Sequence, residues 1–82
     1  MRNRRKKLVF WRIEHRLRQR DMCEMLGITT AHYSNIERGL SNPSYELLVK
    51  FRKIFNVIDV IDLFEKEKEE FQNGNSNTSG DI

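Results

Sequence analysis

A chain of 82 residues, 38% hydrophobic and 33% charged, has room for one small domain and none for a catalytic domain beside a ligand-sensing one. One cysteine and two histidines exclude a disulfide framework and a zinc cluster, so the fold must rest on a packed apolar core, which fits a reducing interior. The net charge of +3 hides a gradient: residues 1–20 carry nine basic side chains and one acid, while residues 56–82 carry two lysines and seven acids. One end suits a polyanion and the other suits solvent or a partner.

The chain opens with a basic stretch, Arg2, Arg4, Arg5, Lys6 and Lys7, followed only by Leu8-Val9-Phe10-Trp11 before Arg12. Four apolar residues fall far short of the roughly 18–20 that span a membrane, so neither a signal peptide nor an anchor is expected. Residues 1–7 read as a basic N-terminal arm. Leu8, Trp11 and His15 recur at helical spacing and predict a first helix ending near Arg16. A second helix, Arg18 to Leu26, turns Met22, Cys23 and Leu26 inward and is stopped by Gly27.

Thr29 is placed to cap a third helix, Thr30 to Arg38, with Tyr33 and Ile36 inward and Gly39 at its end. Asn42-Pro43-Ser44 forms a turn, and Leu47, Leu48, Phe51, Ile54 and Phe55 define a fourth helix. Val57, Ile58, Val60, Ile61 and Phe64 predict a fifth, carried on through the charged run to Phe71. The domain then spans residues 8–71. Residues 72–82 are Asn, Ser, Gly and Thr with little apolar content, the composition of a disordered tail. No strand pattern is present.

The most informative run lies between Gln19 and Glu37. Two short helices that cross near a right angle need a small side chain where their backbones approach, and Cys23 stands there. The turn needs a residue tolerant of positive φ, and Gly27 provides it. Tyr33 and Ile36 follow at the offsets where the second of the two helices must bury apolar side chains. This is helix-turn-helix spacing.

The resemblance extends further. Arg12, Leu17, Gln19, Leu26-Gly27-Ile28, Ser34, Ile36-Glu37-Arg38-Gly39, Asn42-Pro43-Ser44 and Leu47-Leu48 match the pattern of the lambda-repressor-like, Cro/C1-type (XRE) DNA-binding domains of bacteria and phage, over about residues 6–64. The departures are Cys23, usually Ala, Tyr33, usually Ile or Val, and Arg16, often Gly. The resemblance implies an all-α, five-helix domain whose third helix enters the major groove. It puts base contacts at Thr30, Ala31, His32 and Asn35, where Asn35 can pair with adenine and the Ala31 methyl can meet a thymine methyl. Backbone contacts fall to Gln19 and Thr29 at helix N-termini, to Ser34, Arg38, Ser41 and Asn42, and to Arg4, Arg5 and Lys6 of the arm. Arg12 and Glu37 are implied as an ion pair inside the domain.

A single helix-turn-helix buries little surface, so a homodimer on a two-fold site is expected. Val57, Ile58, Ile61, Phe64 and Phe71 exceed what one small core absorbs and are the candidate dimerisation residues. The sequence thus reads as a cytoplasmic, nucleoid-bound regulator of transcription, most simply a repressor, with double-stranded DNA as its partner. An antitoxin or adaptor whose acidic helix binds another protein is the alternative. No enzyme is expected, because no carboxylate cluster, phosphate-cradling loop or nucleophile with a base is present; nor is a cofactor, metal or small-molecule ligand.

Overall fold

The computed structural model describes residues 3–68. A two-residue strand, β1 (Asn3–Arg4), leads into helices α1 (Lys6–Glu14), α2 (Gln19–Leu26), α3 (Thr30–Glu37), α4 (Tyr45–Phe55) and α5 (Val60–Leu63), and a second short strand, β2 (Glu67–Lys68), follows. Five helices make the domain all-α, as expected. The strands are an addition to the sequence reading: they pair antiparallel, Asn3 opposite Lys68 and Arg4 opposite Glu67, and clasp the two ends of the described chain.

The first four helices each give way to a residue in the left-handed region, at Arg16 (φ 58°), Gly27 (φ 73°), Gly39 (φ 80°) and Asn56 (φ 56°). At Arg16 the exposed carbonyls of α1 are satisfied by the Arg16 N–H donating to Ile13 O at 2.9 Å and the Leu17 N–H to Arg12 O at 3.1 Å. That is the arrangement a glycine usually serves. A side chain there costs roughly 1 kcal/mol in backbone strain. Arg16→Gly is therefore expected to raise stability by about 0.5 kcal/mol, the strain relief outweighing the added freedom of the unfolded chain; an unchanged or lower melting temperature would contradict this.

Leu8, Met22, Tyr33, Ile36 and Phe51 are completely buried and draw one residue or two from each of α1 to α4 into a single core. Burial of each such side chain contributes about 1.5–3 kcal/mol. Trp11 lies at the edge of this core, its ring 5.1 Å from Phe51, 4.9 Å from Phe55 and 4.0 Å from His15, which stacks on it from the outside. Ile54, one of the apolar positions that define the fourth helix in the sequence, is 40% exposed.

Two expected boundaries are corrected. The basic stretch is not an arm over residues 3–7, because Asn3–Arg4 is held in the strand pair and Lys6 already begins α1. The fifth helix is four residues long and does not run on through the charged stretch. Phe64 turns inward to meet the Phe51 ring edge-on at 5.0 Å, and its carbonyl accepts from Arg5 Nε at 2.7 Å. A helix continuing past Phe64 would need that carbonyl for the N–H four residues on. Residues 69–71 of the expected helix, and the expected tail at 72–82, lie outside the described residues.

Candidate nucleic-acid interface

The helix-turn-helix forms because each of its junctions is satisfied locally. At the head of α2 the Asp21 carboxylate accepts from the Arg18 N–H at 2.8 Å, and this backbone hydrogen bond, ahead of the nearby arginine charges, holds the Asp21 pKa below its ordinary value. Gly27 then turns the chain, and the Ile28 N–H donates to Cys23 O at 3.0 Å. Thr29 caps α3, its hydroxyl accepting from the His32 N–H at 3.0 Å.

Burial sorts the faces of α3. Tyr33, Ile36 and Glu37 are buried, while Thr30, Ala31 and Arg38 are exposed, with Asn35 and Ser34 half-buried between them. Ala31, Asn35 and Arg38, at spacings of four and three, share an outward stripe, with Thr30 and Ser34 beside it. Among the described residues no side-chain hydrogen bond engages the Asn35 amide, which leaves its donors and acceptor available; its backbone carbonyl accepts from the N–H groups of Leu40 and Ser41. His32 stands apart. It is half-buried and lines a shallow cleft with Leu26, Ile28, Ser44, Leu47 and Lys50, on the flank of α3 that faces α4.

Behind this face sits a charged knot. Arg12 Nε donates to Glu37 Oε2 at 2.6 Å, and Gln19 Nε2 donates to Glu37 Oε1 at 2.9 Å. Arg12 also donates to Leu17 O at 2.9 Å. The Glu37 side chain is 4% exposed and the Arg12 side chain 14%, so one carboxylate ties α1, the head of α2 and the end of α3 together out of water. Desolvation works against the Arg12 charge, but the hydrogen bond and charge of Glu37 outweigh it and raise the guanidinium pKa. The buried Tyr33 hydroxyl has no hydrogen-bond partner among the described residues; burial first, then the Glu37 carboxylate, pushes the phenol far above its ordinary pKa. Gln19, expected at a phosphate, has its amide committed to this knot.

Arg5 is the largest departure from the sequence reading. Expected at a phosphate, it is 3% exposed. Its guanidinium donates to Phe64 O, to Ile36 O, to Ser41 O at 3.0 Å and to Asn42 Oδ1 at 3.0 Å. All four acceptors are neutral, and burial lowers the Arg5 pKa. This fork fixes the last turn of α3 and the loop after it against the C-terminal end of the domain, which removes Arg5 from the set that can reach DNA. In the sequence it is one of five basic residues in six positions, and nothing sets it apart.

The candidate dimer residues separate as well. Phe64 is 6% exposed and belongs to the core, and Val57 packs against that core. Ile58 at 94% and Ile61 at 67% exposure remain open, and Ile61 shares a groove with Tyr45, Leu48, Val49 and Arg52. Phe71 lies outside the described residues. Among the described residues no cluster of metal-ligating side chains forms, and no helix is long and apolar enough to cross a membrane.

Comparison with known proteins agrees with this geometry. The helix-turn-helix family model matches residues 10–62. A protein of Methanocaldococcus jannaschii, called an uncharacterized HTH-type transcriptional regulator, is 36% identical over 64 residues, covering 78% of this chain and 96% of that relative. No solved structure matches. With two helices joined at Gly27, their crossing packed by Cys23 and Tyr33, and this match over most of its length, the chain belongs to the helix-turn-helix family of Cro/C1 type.

Proposed function

We propose that the chain is a sequence-specific double-stranded DNA-binding regulator of transcription, a repressor that occupies a two-fold-symmetric operator as a homodimer with α3 in the major groove. The observation that carries this reading is the outward stripe of α3, whose opposite face is buried and whose polar groups are left unengaged at Asn35. The relative's designation as a transcriptional regulator supports it. Thr30, Ala31 and Asn35 read bases, and His32 reaches the groove from the flank. Thr29, Ser34, Arg38, Ser41 and Asn42 contact the backbone around them, with the Gln19 N–H at the head of α2, and Arg4 and Lys6 add charge. Ile58 and Ile61, with the groove beside Tyr45, form the dimer contact.

Selection of binding sites from a random duplex pool, at low and at moderate salt, tests the whole reading. A two-fold-symmetric motif retained at moderate salt is the expected result. Binding that enriches no motif and vanishes with salt would reduce the protein to a non-specific polyanion binder. On the selected operator, Asn35→Ala is expected to weaken binding by roughly 1–3 kcal/mol and to relax preference at one position of each half-site. Unchanged preference would mean the readout face is misplaced.

A further inference from the structure

Cys23 is buried on α2 with its sulfur reaching the first residue of α3, and that sulfur makes two contacts. Sγ lies 3.1 Å from Arg20 O and 3.1 Å from Thr30 Oγ1. A carbonyl oxygen only accepts, so the single thiol proton goes to Arg20 O. What the sulfur then offers Thr30 is a lone pair. The contact with Thr30 therefore requires the Thr30 hydroxyl to donate its one proton inward, and the exposed side of Oγ1 is left with lone pairs alone.

We infer that Cys23 is a specificity-positioning residue: it fixes the Thr30 hydroxyl as a hydrogen-bond acceptor toward the groove, so that the base met by Thr30 is one with an exocyclic amino group, adenine or cytosine. The inference rests on the proposed base contact by Thr30 and sharpens it. Adenine N6 and cytosine N4 are the major-groove donors, whereas guanine O6 and N7 and thymine O4 would oppose lone pairs to lone pairs. A free threonine hydroxyl turns to suit either kind of partner; this one has spent its proton. Alanine, the residue usual at this position in the resemblance set out above, would leave the rotor free.

The test uses the full chain and its selected operator. Thr30→Val, which removes the hydroxyl and keeps the shape, identifies the base position that Thr30 reads. Each of the four bases is then placed there and binding is measured for the wild type, Cys23→Ser and Cys23→Ala. The wild type is expected to favour adenine and cytosine over guanine and thymine by about tenfold, the worth of one hydrogen bond gained against one repelled. Cys23→Ser, which restores a donor and an acceptor, keeps most of that preference, and Cys23→Ala reduces it to about twofold or less. Packing loss alone would lower the melting temperature without moving preference at that one position. A wild type that favours guanine or thymine there overturns the inference, and needs no variant to do so. Unchanged preference in Cys23→Ala, with preference lost in Thr30→Val, overturns the inference and leaves the base contact standing. No effect of Thr30→Val at any position removes the base contact itself, and the inference falls with it.

Discussion

Replacing Glu37 with alanine is expected to cost about 3–5 kcal/mol of stability, because it strands the Arg12 guanidinium inside the domain without a counter-charge. The loss is compounded at Gln19, whose amide donates to the same carboxylate. Each kcal/mol lowers the melting temperature of a domain this small by about 4–8 °C, so thermal denaturation followed by circular dichroism should show a fall well above ten degrees. Against a total stability of about 5–15 kcal/mol, a fraction of the variant is then unfolded at ordinary temperature. Base preference of the folded fraction should not change, since the Glu37 side chain faces inward. A variant with a normal melting point and altered base choice would make Glu37 a readout residue instead.

The second large effect is expected at Arg5. Arg5→Ala leaves the carbonyls of Ile36, Ser41 and Phe64 and the Asn42 side chain without their shared donor, at a cost of about 3 kcal/mol or more. Arg5→Lys should recover little, because an ammonium cannot reach four acceptors spread along a planar fork. The readout separates the two roles considered for this residue. As a clamp, Arg5→Ala lowers the melting temperature and leaves the salt dependence of DNA binding by the folded protein alone. As a phosphate contact it would reduce the salt slope by about one and leave the melting temperature near normal.

The parts of this domain that were legible in the sequence are those written in local chemistry. Gly27 and Gly39 marked turns because positive φ selects them, Thr29 marked a cap because its hydroxyl meets an N–H three residues on, and Met22, Leu26, Tyr33, Ile36 and Phe51 marked inner faces by their periods. The parts that were not legible depend on contacts across the whole chain. Arg5 resembles its basic neighbours until Phe64 arrives beside it, 59 residues later. The charged run after Phe64 has the composition of a helix, and tertiary bonds to Phe64 and the pairing of Glu67–Lys68 override that preference. Within the α3 face, spacing indicated which residues point outward, but not that the Thr30 hydroxyl is already engaged by sulfur or that the Gln19 amide is turned toward Glu37.

The Arg5 fork also sets where this module can be cut. The helix-turn-helix match begins at residue 10 and ends at residue 62, which makes those positions natural seams for grafting the reader onto another protein. A graft trimmed there would discard Arg5, Leu8, Phe64 and both strands, leaving the Ser41 carbonyl bare, the Ile36 carbonyl with only the Gly39 N–H, and one edge of the Phe51 ring uncovered. A fusion partner has to be joined outside residues 3 and 68, and because Asn3 and Lys68 are opposed across the strand pair, the described domain offers both of these junctions at the same end.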